Sequence, residues 1–452
     1  MGDARKVYWL AGLGLLGSPV YAFNFNLTAL FSRMRLIPGA GDAYRSFLCQ
    51  FLFLALLYLI AVGLVFRGGA DDGRGRRRLW VIVFFACLYR WLLVPTVPAL
   101  STDIYRYVWD GRVQAHGINP YLYPPQSEAL KDLRDEGIYP HINRLWAPTI
   151  YPAGAQGFFL GLHRLGIRSP TAFKAAVVVS DMGSVLLLTL ILIHLKVPAE
   201  RVLVYAWHPL VIYELANNGH VDGFMLFFVL LALLLLLKRR PLASIASLAL
   251  ATALKLYPAL LLPALLRAPK WRRGLLFAAI VLALYLPYLS AGPAILGFLP
   301  GYFQIPAEQF NLGLKVYLLR ILPLADHMLI TLGFAALLAA AVVVVWRLPK
   351  DDISALKWAY LLTGLQLLLA SGSLHPWYLI LIIPFLALFP SPAWLYFSFA
   401  VVLSYLAYPS GGYRVPEWVR HVEYLPLFLL LGAEYVALLS PSQSWFPWRP
   451  AA

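Results

Sequence analysis

A series of apolar runs, each long enough to span a membrane or nearly so, extends over almost the whole chain. The stretch 242–267 is also apolar but is broken at Lys255 and Pro258. A proline removes a backbone donor and a lysine is costly in hydrocarbon, so two short helices with a reversal between them are expected there. The other runs lie at about 7–22, 47–66, 79–94, 172–195, 201–216, 222–237, 274–290, 327–346, 353–371, 377–390, 392–408 and 425–440. The pattern predicts an all-α polytopic membrane protein with about 11–14 transmembrane helices in a single domain over residues 1–452.

The overall composition supports this class of protein. Of the 452 residues, 61% are hydrophobic and 13% are charged, and a soluble protein of that length could not bury so much apolar surface. The net charge of +16 would suggest nucleic-acid binding in a soluble protein. In a membrane protein, however, Lys and Arg collect in cytoplasmic loops beside anionic lipid headgroups. We therefore expect membrane lipids as partners and no nucleic acid.

The cysteines and the N-terminal segment add two further expectations. Cys49 and Cys87 both fall in apolar runs, and no cysteine–histidine spacing is typical of a zinc site, so both thiols are expected to be packed or to face lipid. The N-terminal segment has the basic flank of a signal peptide. Because the chain that follows is polytopic, an uncleaved first membrane helix is expected instead.

The dense basic clusters set the orientation in the membrane. They are Arg5-Lys6, Arg74 with Arg76, Arg77 and Arg78, Lys196/Arg201, Lys238 with Arg239 and Arg240, Lys270/Arg272-Arg273 and Arg347/Lys350. With the N-terminus in the cytoplasm, alternation along the apolar runs places every one of these clusters on the cytoplasmic side, in agreement with the positive-inside rule. The same alternation places the polar stretches 95–171, 217–223, 254–258 and 373–378 on the outer face. The residues capable of chemistry are therefore expected to converge there.

The longest outer stretch, 95–171, contains the segment STDIYRYVWDGRVQAHGINPYLYPP at 101–125. Ser101 or Thr102 can cap a helix and Gly117 can end one, so a helix is expected over 103–116. It is predicted to be amphipathic and to lie in the membrane interface. A loop this long is functional or disordered, and its aromatic content argues against disorder. One polar stripe of the helix consists of Asp103, Tyr107, Asp110 and Gln114.

The two acids of this helix could also have purely structural roles. Asp103 lies in the first turn, where a carboxylate complements the helix dipole or pairs with Arg106 three residues on. Asp110 has Arg106 four residues back as a ready partner. That pair is expected to be exposed and to contribute under about 1 kcal/mol. From the residues alone, a structural and a functional role both stay open for each acid.

Few kinds of chemistry suit an outer-face acid that lies beside cations and lipid. The sequence has no G-x-S-x-G elbow, no H-E-x-x-H motif and no P-loop, which argues against a serine hydrolase, a zinc protease and nucleotide-driven work. Transfer of a group from a lipid-linked phosphate fits better. Lys255, Arg106 or Arg112 would neutralise the phosphate, and one carboxylate would deprotonate an acceptor hydroxyl as general base.

Residues 102–121 resemble the first outer loop of polyprenol-phosphate-sugar-dependent glycosyltransferases of the GT-C class. They are especially similar to the bacterial α-mannosyltransferases and to the mannosyltransferase that adds the first mannose in glycosylphosphatidylinositol assembly. The matching positions are Thr102, Asp103, Ile104, Gly117, Asn119, Pro120 and Tyr121, then Tyr151-Pro152, NNGHVD at 217–222, Lys255 with Tyr257 and Pro258, and HPWY at 375–378. They occur in the family's order over most of the chain.

The resemblance implies an inverting transfer of a hexose, most often mannose, from a polyprenyl-phosphate-linked donor to a hydroxyl of a lipid or glycan acceptor. Asp103 would be the general base. The family often has a second acid two residues on, but Tyr105 stands there, so no metal and no cofactor are expected. The enzyme would lie in a prokaryotic cell membrane with its active site outside, in the catalytic loop 95–171. The residues expected to bind the donor phosphate or the substrate are Lys255, Arg106, Arg112, His220, Asp222, His375, Tyr378, Tyr107 and Asp110.

Two further classes of protein stay open on the sequence. A transporter or flippase of a lipid-linked sugar would have paired broken helices in two related halves, whereas the sequence has one broken pair and no internal repeat. A non-catalytic membrane assembly factor is the second class. Whatever the class, His220 and Asp222 could have the structural role of capping a membrane helix that starts at Val221, and His375 that of satisfying a turn. Asp181 and Glu434, which lie inside apolar runs, are expected to make buried hydrogen bonds between helices.

The predicted orientation is testable by cysteine labelling. Single cysteines placed near Gln126 and near Gly412 are expected to react with an impermeant reagent from the outside, and one near Gly73 only from the cytoplasm, because alternation of the spans separates these positions. Labelling of the Gly73 and Gln126 positions from the same side would contradict the orientation and the outer-face location of the acids.

Overall fold

The computed structural model of the protein describes residues 3–23, 42–67, 75–267, 270–302, 310–311, 313–322, 327–348, 351–410 and 415–439. The structure is 78% helical and has no β-strand in these ranges, which confirms the all-α fold class. Gly73, Gly412, Arg74 and Lys350, which the topology prediction uses, lie outside the described residues.

Long helices form the framework of the fold, and shorter helical turns connect them. The long helices are α1 Asp3–Phe23, α2 Asp42–Phe66, α3 Gly75–Leu93, α4 Asp103–Ala115, α5 Ala153–Arg164, α6 Pro170–His194, α7 Asp222–Leu237, α8 Pro241–Leu254, α9 Lys270–Ala283, α10 Leu314–Ile321, α11 His327–Arg347, α12 Asp352–Leu365, α13 Pro392–Ala400 and α14 Glu417–Leu439. Helices α6, α7 and α8 pack side by side, and α4 packs on α5.

Several helices are long and apolar enough to cross a membrane. Within the described residues, Ser46–Phe66, Pro170–His194, Met328–Arg347 and Asp352–Ala370 meet this criterion, and a fifth crossing results if α9 and the segment after it, bent by 85°, form one span. Shorter apolar helices occur at Asp222–Leu237, Pro241–Leu254 and Pro392–Tyr408. The protein is therefore a polytopic membrane protein. The number of about 11–14 crossings stays a prediction.

Two apolar runs, 201–216 and 377–390, do not form single helices. The backbone is extended at His208, before Pro209, and at His375, before Pro376, because a residue that precedes proline disfavours the helical conformation. Short turns follow in each case, and nearly all of their side chains are buried. These runs are apolar because their side chains pack in the protein core. Hydropathy alone would predict membrane helices here, but the structure has short packed turns instead.

The predicted break in 242–267 is confirmed at the predicted residue. Helix α8 ends at Leu254, and Lys255 has extended backbone angles (φ −147°, ψ 133°). The short turns Tyr257–Leu261 and Leu262–Leu265 follow. Proline at position 258 suits the start of such a turn because its missing N–H needs no helical partner there.

Helix α4 has the predicted limits but is more enclosed than predicted. Ser101 Oγ accepts from the Asp103 N–H at 3.3 Å, and Gly117 ends the helix with φ +76°. Most side chains of α4 are buried, including those of Arg106 and Asp110. The expectation that these two residues form an exposed pair is wrong, because α5 and the loop before it cover the polar stripe.

The two acids inside apolar runs make the contacts between helices predicted for them, Asp181 in the buried interior and Glu434 in a partly buried position. Arg90 Nε lies 2.5 Å from Asp181 Oδ2, and the Tyr205 hydroxyl donates to the other oxygen of the same carboxylate. Glu434 accepts from the Ser391 hydroxyl and from the Ala393 N–H. Both contacts join separate elements of the core, so these acids have a structural role.

Candidate active site

The polar stretches that are predicted to face outward meet at the N-terminus of α4. Asp103 is the first residue of this helix, and its side chain is 19% exposed. The Asn143 side-chain amide donates to Asp103 Oδ1 at 2.6 Å. His220 Nδ1 lies 4.0 Å from Asp103 Oδ2. One carboxylate therefore contacts the loop before α5 and the NNGHVD segment at the same time.

The two asparagines of NNGHVD hold the chain that leads into α4. Asn217 Oδ1 accepts from the Ala99 N–H at 3.2 Å, and its amide donates to the Thr96 hydroxyl at 2.7 Å. Asn218 Oδ1 accepts from the Leu100 N–H at 3.1 Å. Both asparagines are buried. Their side chains therefore supply the hydrogen bonds that water would otherwise make to the backbone N–H groups of Ala99 and Leu100, which have no partner within a helix. This segment therefore fixes the backbone three residues before Asp103.

Lys255 reaches the site in an ion pair. Its Nζ lies 3.1 Å from Asp222 Oδ2, and the Tyr257 hydroxyl donates to Asp222 Oδ1 at 2.6 Å. The Asp222 side chain is fully buried, whereas that of Lys255 is 15% exposed. The ammonium group also lies 5.8 Å from the ring centroid of Tyr378. An ammonium has three donors, so Asp222 can position Lys255 while leaving donors for a substrate.

The HPWY segment contributes a group of stacked rings. His220 and His375 both stack on the Trp377 indole, with ring centroids 4.2 and 4.4 Å away. Phe310 stacks on His375 at 5.4 Å. Burial lowers the pKa of His375 to about 3 despite the nearby Asp103 carboxylate, so this imidazole is neutral at neutral pH.

The electrostatic surroundings keep Asp103 ionised. Burial acts to raise the pKa of the Asp103 carboxyl, whereas the side chains around it act to lower it, and the lowering prevails. The groups that lower it are His220, Lys255, Arg144 and the Asn143 amide. At neutral pH the group is thus a carboxylate and can accept a proton.

The structure places three of the predicted site residues, Arg106, Asp110 and Arg112, away from this cluster. Arg106 Nε donates to Asp110 Oδ1 at 2.8 Å, and the Thr149 hydroxyl and the Gln156 amide donate to Asp110 Oδ2. Arg112 pairs with the Asp135 carboxylate at 2.6 Å.

Tyr107 is fully buried and lies between these three residues and the site. Burial raises the pKa of its hydroxyl, and the nearby carboxylates of Asp103 and Asp222 raise it further. Its ring packs against the rings of Tyr151, Phe159 and Phe173. Tyr107 therefore braces α4 and also borders the site. The residues that gather near Asp103 are His220, Asp222, Lys255, His375 and Tyr378.

Three residues of the site are not among those that the sequence predicts. Asn143 and Arg144 lie in an irregular part of the loop 95–171, where no periodicity marks them. Glu214 lies inside the apolar run 201–216, yet its Oε2 is 3.3 Å from His220 Nε2. An acid within an apolar run was a usable signal at Glu214, since buried ionisable residues in membrane proteins are costly and often functional.

The comparisons with known proteins give a family. Residues 40–269 match the family described as alpha-(1->6)-mannopyranosyltransferase, N-terminal domain. No curated protein and no solved structure matches the chain. Since the match covers half of the chain, the protein belongs to this family and is a membrane-bound mannosyltransferase, which uses a sugar donor and an acceptor. The matched range includes Asp103, Glu214, His220 and Lys255.

Gly219 provides a stability prediction. Its φ is +70°, and a Cβ there would lie 2.5 Å from Ile104 Cδ1 and 2.9 Å from Lys174 Cγ. Gly219→Ala is expected to destabilise the protein by about 1–2 kcal/mol from the backbone conformation and a further roughly 1–3 kcal/mol from overpacking. The measurement is the thermal unfolding midpoint in detergent.

Gly117→Ala is the matched control, because Gly117 has φ +76° and no atom lies within 4 Å of an added Cβ. Only the backbone contribution applies to that variant, so it should lose less stability. Equal losses in the two variants would contradict the close approach of Gly219 to α4.

Proposed function

We propose that this mannosyltransferase takes mannose from a polyprenyl-phosphate-linked donor and transfers it, with inversion, to a hydroxyl of a lipid or glycan acceptor. The reaction takes place at the extracytoplasmic face of a prokaryotic cell membrane, with 95–171 as the catalytic loop of a single domain, residues 1–452. The observation that supports this most is the ionised, partly exposed carboxylate of Asp103 among the basic groups His220, Lys255 and Arg144.

The proposed step is a single displacement at the anomeric carbon. The acceptor oxygen forms a bond to that carbon as the bond from the carbon to the donor phosphate oxygen breaks. Asp103 takes the hydroxyl proton, and the phosphate leaves with the electron pair of the broken bond. One displacement inverts the configuration at the carbon. Only one carboxylate is required, in contrast to a double displacement, which needs a separate nucleophile.

The cations are suited to the departing phosphate. Lys255, held by Asp222, has ammonium donors that Asp222 does not occupy, and Arg144 lies in electrostatic reach of the same carboxylate. Charge-assisted hydrogen bonds from such groups stabilise phosphate oxygens strongly where water is scarce. His220, His375 and Tyr378 complete the substrate-binding side of the proposed site. Arg106, Arg112, Tyr107 and Asp110 support it by bracing α4 and its loop.

The neighbourhood of Lys255 also fits a lipid-linked donor. Leu256, the next residue, lines a small cavity together with Tyr151, Pro152 and Leu299. Apolar and tyrosine side chains of this kind suit contact with the first part of an isoprenoid chain, and the ammonium of the neighbouring Lys255 suits its phosphate. Because the apolar surface of a membrane protein borders lipid, a donor with a long hydrocarbon tail can approach such a cavity from the bilayer.

The role of Asp103 is tested by Asp103→Asn. Asparagine keeps the size and can still accept a hydrogen bond, but it cannot take a proton at neutral pH. Turnover is expected to fall by about 10²–10⁴, with folding and donor affinity little changed. In the wild-type enzyme the acid limb of the pH–rate profile should lie below the ordinary aspartate range, because the pKa of Asp103 is lowered.

Asp132→Asn is the control for Asp103→Asn, since Asp132 is an exposed acid of the same loop and should be dispensable. Asp110→Asn does not serve as a control, because Asp110 is buried with several donors and its loss would disturb the fold. Near-normal turnover of folded Asp103→Asn would remove the base from this position.

The role of Lys255 is tested by donor affinity. Lys255→Ala is expected to weaken binding of the lipid-linked donor by about ten- to a hundredfold, because one charge-assisted contact to the phosphate is lost. Lys255→Arg should restore part of the affinity, since the charge is kept. Titration of the donor into purified enzyme measures both. Lys131→Ala, at an exposed lysine of the outer loop, is the control. Unchanged donor affinity in Lys255→Ala would contradict the assignment.

A further inference from the structure

A buried glutamate faces the site from a rare helical turn. Glu214 lies in the π-helical turn Tyr213–Asn217, and its side chain is fully buried. The Asn218 amide donates to Glu214 Oε2 at 2.9 Å, and the Tyr405 hydroxyl donates to Oε1. π-helical turns are uncommon and occur often at functional sites. The turn shifts the register of the chain and brings this acid to the ring of His220.

His220 lies between two carboxylates. Its Nε2 is 3.3 Å from Glu214 Oε2, and its Nδ1 is 4.0 Å from Asp103 Oδ2. Among the described residues, neither ring nitrogen makes a hydrogen bond of normal geometry. A neutral imidazole would turn a lone pair toward one of the carboxylates, whereas an imidazolium presents an N–H to each. The Trp377 indole, stacked at 4.2 Å with 22° between the planes, also favours a cation.

We propose that Glu214 and Trp377 hold His220 as an imidazolium, and that this cation keeps Asp103 ionised and oriented for its work as the base. The inference rests on the proposed role of Asp103. Glu214 acts through His220 and touches no substrate, so it is a positioning residue. The hydrogen bonds from Tyr405 and Asn218 hold the Glu214 side chain in place against His220.

The other charged and titratable groups around the ring do not cancel this arrangement. They are Asp222 two residues on, Lys255 and Arg144, which both act on Asp103, and His375 on the shared indole. Lys255 is paired with Asp222, so the charge of each is largely offset. His375 is neutral at neutral pH, because burial lowers its pKa to about 3. The two carboxylates are therefore the charges that face His220 most directly.

Glu214→Gln tests the inference by kinetics. The variant keeps the size and the hydrogen-bonding capacity but removes the negative charge. Its kcat is expected to fall by at least about tenfold, less than the loss of the base itself, with KM for the donor little changed. The alkaline limb of its pH–rate profile should move to lower pH, because an imidazolium without a carboxylate partner loses its proton more readily. Glu128→Gln, at an exposed glutamate of the loop 95–171 away from the site, should behave as the wild type.

A spectroscopic measurement on the wild-type protein tests the inference even if the Glu214→Gln variant does not fold. In the wild-type protein labelled with ¹⁵N-histidine, the ring nitrogens of His220, assigned with His220→Gln, should show imidazolium shifts at pH 7. Neutral-imidazole shifts there would overturn the inference. So would a folded Glu214→Gln variant whose kcat and alkaline limb match the wild type, or a kcat loss without any shift of that limb.

Failure of this inference and failure of the proposed function give different results. Neutral His220 together with lost turnover in Asp103→Asn would overturn the role of Glu214 and leave Asp103 as the base. Normal turnover in Asp103→Asn would remove the base from Asp103 and overturn the proposal with it, whatever the shifts of His220.

Discussion

An ionised carboxylate in a site largely closed to water is stable only when cations and hydrogen-bond donors replace its hydration. Asp103 meets this condition because Asn143 donates to it and basic side chains surround it. Those partners come from the loop before α5, from the segment after the π-helical turn and from the end of α8. The charge therefore becomes stable only when these distant segments dock together. The same docking creates the environment in which a carboxylate can serve as a base, so the stability of the site and its chemistry have one origin.

The groups of the site all lie where a helix is interrupted. Asp103 begins a helix, His220 follows a glycine with positive φ, Lys255 is the extended residue after α8, and His375 precedes a proline. A continuous membrane helix satisfies its own backbone groups, whereas an interruption leaves groups that the surrounding protein must satisfy. The side chain of Asn217 does this for the residues before α4. An interruption is tolerated because polar side chains form the hydrogen bonds that the helix no longer provides to the backbone. The side chains at the interruption can then point into the site.

Local sequence chemistry predicts the limits of α4, the break at Lys255 and the convergence of the polar segments, because caps, prolines and glycines act over a few residues. The surroundings of a residue depend on long-range packing and are harder to predict. The spacing of Arg106 and Asp110 indicates a pair, but only contacts with Thr149 and Gln156, about 40 residues away, make that pair buried. Glu214 is overlooked for a related reason. Its neighbours are apolar because they form the core, and a pattern of hydropathy does not distinguish a core turn from a membrane span.

The central claim is that mannose leaves a polyprenyl phosphate at Asp103, and release of that phosphate measures it most directly. Purified enzyme in lipid vesicles would be incubated with polyprenyl-phosphate mannose and a short α-mannoside acceptor. We predict that polyprenyl phosphate and mannosylated acceptor appear in equal amounts with the wild-type protein. With Asp103→Asn both should be nearly absent. Nucleotide-linked mannose in place of the lipid donor should give no product. Transfer from the nucleotide-linked sugar, with no polyprenyl phosphate released from the lipid donor, would contradict the claim.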